Sequence, residues 1–310
     1  MMWDTLTLYN YFMAVFNGPG FVPYGWRPKN PEDEQHLQYC QECKGFKVPR
    51  SHHCRKCKRC VMKMDHHCPW INTCCGYLNH ANFIYFLLFA PCGCIHGAVI
   101  LIASSIHTLN LHYFRFYANG EPMVELSILG FILVVFTIGL AVGVVVAVGM
   151  LFFIQFHEVL KNETGIETWI IEKAKTRERS ESEGEFLFPY HLGWKKNLKL
   201  VFWPSGEISS NGIHWPVRDS CHQFTLTTEQ LKQKALKREH VVLVTIIENY
   251  SGSWLPISKG CKVIYNIPCT DEVRIPVNVG DQIEVTRGKR HWLYGQKVAE
   301  NKNSGNYQIL

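Results

Sequence analysis

The residues able to do chemistry crowd into one stretch. Of thirteen cysteines, eight lie between Cys40 and Cys75. The run is Cys40-x2-Cys43, then His52-His53-Cys54-x2-Cys57-x2-Cys60, then Asp65-His66-His67-Cys68, then Cys74. A Cys-x2-Cys unit sets two thiolates on one ion in a tight turn. Two such units with neighbouring His and Cys supply eight ligands, enough for two closed tetrahedral zinc sites. Thiolate donors select zinc over hard cations. Cys68 is left over once two such sites are filled, and Asp65 and His66 directly precede it. A cysteine beside a histidine base, with a carboxylate to orient that base, is the constellation of nucleophilic acyl transfer. The helpers matter because the thiolate attacks, and a free cysteine is mostly protonated at neutral pH.

Membrane elements must hold this cluster. Mean hydropathy is near zero, but the average hides two apolar blocks. Residues 82–109 and 126–156 contain no Lys, Arg, Asp or Glu. Each exceeds the roughly 20 residues needed to cross a hydrocarbon core of about 30 Å. A soluble helix would carry a polar face. Residues 1–16 are aromatic and apolar but short, interrupted by Asp4 and Asn10, and lack the features of a signal peptide. They read as the end of a membrane helix whose beginning lies outside this chain. The exit GPGFVPYGW cannot continue a helix. His96, polar within an apolar block, is expected to face the interior of a bundle.

Residues 17–81 carry ten Lys and Arg, and residues 110–125 carry one, Arg115. Positive residues stay on the cytoplasmic side. The cluster and the tail after residue 156 are therefore expected in the cytosol, where a reducing environment favours metal ligation over disulfides. Retention of basic loops also accounts for much of the net charge of +6, so no nucleic-acid partner is called for. A transporter or channel would place several charged groups within its spans, and these have almost none.

From Val241 the pattern changes to short β-like runs, VVLVTII, CKVIYNI, DQIEVTR and HWLYGQKV, divided by Gly, Pro and Asn. The expected order is a partial membrane helix and exit loop (1–26), the zinc-binding catalytic domain (27–81), a span (82–109), a lumenal connector (110–125), a second span (126–156), a cytosolic region (157–240) and a small β domain (241–310). The fold class is thus an α-helical integral membrane protein with a cytosolic Cys/His-rich zinc domain and a small all-β domain.

The string DHHCPWINTC, the spacing from Cys40 to Cys74, the following Gly76, Asn79 and Phe83, and the flanking spans resemble the DHHC protein S-acyltransferases over about residues 6–205. Within that family the pattern is similar to the endoplasmic-reticulum member with a C-terminal SH3-like domain. The resemblance implies one zinc on Cys40, Cys43, His53 and Cys60, and a second on Cys54, Cys57, His67 and Cys74, both structural. It implies His66 as base, Asp65 as its orienting group, and Cys68 as carrier of a long acyl chain, palmitoyl, from acyl-CoA to cysteine thiols of membrane or peripheral proteins. Lys47, Arg50 and His52 match a basic stretch that contacts coenzyme A phosphates. Thr164-Gly165-Ile166-Glu167 resembles the family's Thr-Thr-x-Glu element with Gly at its second position. Asn197 matches an Asn that braces the active site. Residues 241–298 resemble an SH3-like barrel, expected to be incomplete because no closing strand is evident in ENKNSGNYQIL.

Family members have at least four spans, and two full ones are visible here. The chain as given is therefore expected to be N-terminally incomplete and weak or inactive as an enzyme. The competing reading is a zinc-scaffolded membrane adaptor with impaired catalysis.

Overall fold

A computed structural model describes residues 1–109, 127–181, 183–203, 210–268, 270, 272–298 and 307–309. The expected lumenal connector lies outside the described residues, as do Arg115 and Cys269. The chain divides into two compact units, Met1–Glu229 and Gln230–Leu310.

In the first unit, α1 spans Met2–Phe16, α2 His80–Leu109 and α3 Ile128–Lys161. The last two are long and apolar enough to cross a membrane. α2 begins just before the first uncharged block and α3 runs past the C-terminal end of the second, because backbone hydrogen bonding continues into flanking polar residues. α1 packs on α2, where Asn82 donates to Asn10 Oδ1 at 3.2 Å. This gives Asn10 a side-chain partner within the described helices. His96 is exposed rather than interior, because α2 turns other residues toward the neighbouring helices.

Three two-stranded hairpins form the Cys/His domain: β1 (Tyr39–Cys40) with β2 (Gly45–Phe46), β3 (His52–Cys54) with β4 (Arg59–Val61), and β5 (His66–Cys68) with β6 (Thr73–Cys75). Their turns use left-handed residues, among them Lys44, Lys58 and Asn72. Gly76 joins β6 to α2. A Cβ there would lie 2.8 Å from Pro19 O and 2.8 Å from Val61 Cγ1. Gly76→Ala should therefore lower stability by about 1–3 kcal/mol through overpacking. Gly139→Ala in α3, which meets nothing within 4 Å, should not. Thermal unfolding of detergent-solubilised protein distinguishes the two, and an unchanged Tm for Gly76→Ala would contradict the packing.

Beyond α3 the chain forms α4 (Gly165–Thr176), α5 (Trp194–Phe202) and α6 (Thr225–Glu239). Thr164-x-x-Glu167 starts α4 with a reciprocal capping box. In α5, Asn197 is fully buried. Its Nδ2 donates to Leu160 O at 2.8 Å, satisfying a carbonyl at the open end of α3.

The second unit holds an antiparallel sheet in the order β10 (Tyr307–Ile309), β9 (Trp292–Lys297), β8 (Gln282–Lys289), β7 (Val242–Thr245). Its core is Ile246, Tyr250, Val263, Val277, Ile283, Val285 and Trp292. Two expectations are corrected. The run CKVIYNI is not a strand: Cys261–Tyr265 is one helical turn, α7, that starts after Gly260 at φ 93°. Val263 within this turn and Ile267, two residues past its end, both reach the core. And a terminal strand does exist, since Tyr307–Ile309 pairs with Gly295–Leu293 of β9.

Candidate active site and metal centres

Two four-ligand groups converge. Cys40, Cys43, His53 and Cys60 form one, and Cys54, Cys57, His67 and Cys74 the other, each with its ligand atoms within 4.8 Å of one another. Hairpin register makes this possible: His53 lies opposite Cys60, and His67 opposite Cys74. Around His53 Nδ1 the sulfurs sit at 3.4, 3.5 and 3.9 Å, and around His67 Nδ1 at 3.6, 3.4 and 3.7 Å. A zinc tetrahedron with Zn–S of about 2.3 Å and Zn–N of about 2.0 Å has S···N edges near 3.5 Å. The donor sets therefore fit the ion in both size and chemistry.

Along β5 the side chains alternate between faces. His67 turns to the second metal group, which leaves His66 and Cys68 together on the other face. Cys68 is 3% exposed and packs with Ala14 of α1, Ile71, Cys75, and Phe83 and Leu87 of α2, with Val148 and Phe152 of α3 alongside. The thiol thus faces the ends of α1, α2 and α3 that lie nearest the Cys/His domain. Asn79 ties this corner together: its Nδ2 donates to Ala14 O and Cys74 O, both at 2.9 Å. The Phe83 ring lies edge-on to His66 with centroids 5.4 Å apart.

Asp65 is buried, and its Oδ2 is 2.6 Å from His66 Nδ1. Its Oδ1 accepts from the backbone N–H of Gly165, also at 2.6 Å. The position where the family's second Thr stands thus contributes through its backbone, which needs no side chain. Burial alone would raise the Asp65 carboxyl. The His66 bond, followed by the charge of the neighbouring His80 and His66 and then the Gly165 amide, outweighs it and brings it down to about 2. Burial pushes His66 down, but its bonds to Asp65 and Cys68 raise it to about 9. Burial pushes the Cys68 thiol up, while the His66 bond and the amides of Ile71 and Trp70 pull it below its ordinary value. Together these shifts favour a thiolate on Cys68 with the proton held by His66.

A pH dependence follows. The rate of Cys68 acylation should rise with pH through the lowered thiol pKa and then flatten. In His66→Ala the largest lowering influence is gone, so the limb should move to higher pH and the deficit should shrink toward alkaline pH. Single-turnover rates across pH measure this. A limb left in place would mean His66 does not control the thiol.

Lys47 and His52 remain half-buried. The expectation for Arg50 is corrected: its side chain is fully buried in an ion pair with Glu167, leaving no face for a phosphate. Sequence reasoning also missed the contributions of the Gly165, Trp70 and Ile71 amides. The string DHHCPWINTC spans Trp70 and Ile71 and the Thr164-x-x-Glu167 element spans Gly165, but neither marks a backbone amide as a donor.

Residues 33–172 match the family model for the DHHC palmitoyltransferases. The chain belongs to the DHHC palmitoyltransferase family. It is 50% identical over 313 residues to human Palmitoyltransferase ZDHHC6, covering 96% of this chain and 76% of that protein. The Bos taurus Palmitoyltransferase ZDHHC6 is 49% identical over 312 residues, with the same shares covered. A more distant relative, Probable protein S-acyltransferase 16 of Arabidopsis thaliana, is 35% identical over 214 residues, covering 64% of this chain and 70% of that protein.

Proposed function

We propose that this protein is a protein-cysteine S-palmitoyltransferase that works through an acyl-enzyme on Cys68. One observation carries the reading: of the two cysteines in the cluster that join neither metal group, Cys68 and Cys75, it is Cys68 that pairs with an Asp65–His66 dyad. The Cys68 thiolate attacks the carbonyl of acyl-CoA, and CoA thiolate leaves, taking the proton from His66. The acyl chain then lies against the apolar ends of α1, α2 and α3. An acceptor cysteine gives its proton to His66, attacks the Cys68 thioester, and departs acylated as the Cys68 thiolate is regenerated. Asp65 keeps the His66 ring in one orientation through both halves.

Each metal group would hold one structural zinc ion, supplying a redox-inert cross-link that holds the β5–β6 hairpin in place. Lys47 and His52 are the proposed contacts for coenzyme A phosphates, as charge-assisted bonds suit them. Acceptors are cytosol-facing cysteines of membrane or peripheral proteins. The ten-to-one imbalance of basic residues supports a cytosolic active site, and the similarity to ZDHHC6 proteins supports residence in the endoplasmic reticulum. Residues 241–310 are assigned as an SH3-like domain on the strength of the four-stranded sheet and its Tyr250–Trp292 core.

The test is incubation of purified protein with labelled palmitoyl-CoA. A hydroxylamine-labile label on the protein, with two zinc ions by elemental analysis, is expected. No label with zinc intact would favour the adaptor reading. Protease protection of the Cys40–Cys74 region inside the lumen would overturn the topology.

A further inference from the structure

We propose that the buried Arg50–Glu167 ion pair is a positioning device for acyl transfer: it fixes the turn at Thr164–Gly165 whose backbone amide holds Asp65, and through Asp65 and His66 it sets the geometry at Cys68. The inference rests on the reading of Cys68 as nucleophile.

The chain of contacts is continuous. Arg50 Nε donates to Glu167 Oε1 and Nη2 to Glu167 Oε2, both at 2.7 Å, a bidentate fork with both side chains fully buried. Nη1 and Nη2 also donate to Oδ1 and O of Asn162, the left-handed residue that ends α3, at 3.1 and 2.7 Å. The guanidinium carbon lies 4.4 Å from the Tyr190 ring centroid and 4.6 Å from that of Trp215. Arg50 is thus held on both its edge and its faces. Glu167 in turn accepts from Thr164 N at 3.1 Å, and Thr164 Oγ1 accepts from Glu167 N at 3.3 Å. With Thr164 and Asn162 both pinned, the direction of the next N–H, that of Gly165, is set, and this is the N–H that Asp65 Oδ1 accepts.

A buried ion pair is a weak source of net stability, because desolvation offsets much of the attraction. What a bidentate fork supplies is orientation. Among the described residues, neither Arg50 nor Glu167 hydrogen-bonds through its side chain to Cys68 or to a metal ligand. Their influence on the reaction runs through Gly165 and Asp65.

The experiment uses the full chain in detergent with Glu167→Gln, Gly165→Pro and the double variant, alongside wild type. Gly165 is the first helical residue and Thr164 is already extended at φ −118°, ψ 158°, so proline fits the backbone there. Its Cδ takes the place of the N–H that Asp65 Oδ1 approaches to 2.6 Å, so the variant both removes the donor and pushes the carboxylate away. Zinc content, the maximal single-turnover rate of Cys68 acylation and the half-saturating palmitoyl-CoA concentration are measured. The expected result is two zinc ions in each variant, with maximal rates lowered between about 10-fold and 100-fold, the scale of a misplacement of about 1 Å. Half-saturation should move by less than about twofold. The double variant should be no slower than Gly165→Pro alone, because both act on one chain of contacts. Multiplicative losses in the double variant would overturn the proposal. Zinc loss in Glu167→Gln would also overturn it, making the pair a folding element. A changed half-saturation with an unchanged maximal rate in Glu167→Gln would restore Arg50 to the phosphate site. Wild type that forms no thioester would instead remove the acyl-enzyme reading on which the inference stands.

Discussion

Cys68→Ser is expected to abolish the hydroxylamine-labile acyl-enzyme while leaving two zinc ions bound. The thiol packs with Ala14, Ile71, Phe83 and Leu87, outside both metal groups, so its loss removes no ligand. Serine keeps the shape but not the chemistry. Its hydroxyl does not ionise near neutral pH, and the His66 bond and the Trp70 and Ile71 amides that stabilise a thiolate cannot bring it into range. The loss of acylation should be complete at the sensitivity of the assay, and elemental analysis should be unchanged. Zinc released from this variant would make Cys68 a ligand and overturn the division of roles.

Substitution of two adjacent histidines should have opposite effects on metal. His67→Ala removes one of four ligands that lie within 4.8 Å of one another. It should release a zinc ion and disorder the β5–β6 hairpin, because in such sites the binding energy, about 10–16 kcal/mol in zinc-finger peptides, is folding energy. His66→Ala should keep both ions and lower acylation at neutral pH by roughly 10²-fold or more, the usual scale for a lost general base. Zinc content and single-turnover rate, measured on both variants, separate the two. Loss of metal in His66→Ala, or full retention in His67→Ala, would contradict the assignment.

Why these neighbours differ was legible only in part from the sequence. Metal-ligand spacing marked the cluster and left Cys68 over, because tetrahedral coordination constrains how far apart ligands can stand. Strand alternation then explains what spacing alone left open: His67 and His66 point to opposite faces of β5. Apolar runs revealed α2 and α3 to within a few residues of their ends, since helical hydrogen bonding continues into the flanking polar residues. Arg50 was misread because a basic residue in a basic stretch looks solvated until its partner is known. That partner, Glu167, is 117 positions away, and no local pattern connects them. The Gly165 amide was missed for a related reason: a backbone donor carries no side-chain signature, and the glycine looked like a lost threonine. CKVIYNI looked like a strand from its β-branched residues, yet it forms a single helical turn that places Val263 on the core.

The central claim is that the acyl chain rests covalently on Cys68 between donor and acceptor. A pulse-chase test addresses it most directly. Protein labelled with radioactive palmitoyl-CoA is freed of all remaining acyl-CoA and mapped by peptide digestion. It is then mixed with an acceptor protein bearing a membrane-proximal cysteine. The account predicts that the label maps to the peptide containing Cys68 and moves to the acceptor without further acyl-CoA, leaving the enzyme at the rate at which the acceptor gains it. Label that stays on the enzyme while the acceptor is acylated only when acyl-CoA is restored would contradict it, because transfer would then bypass Cys68.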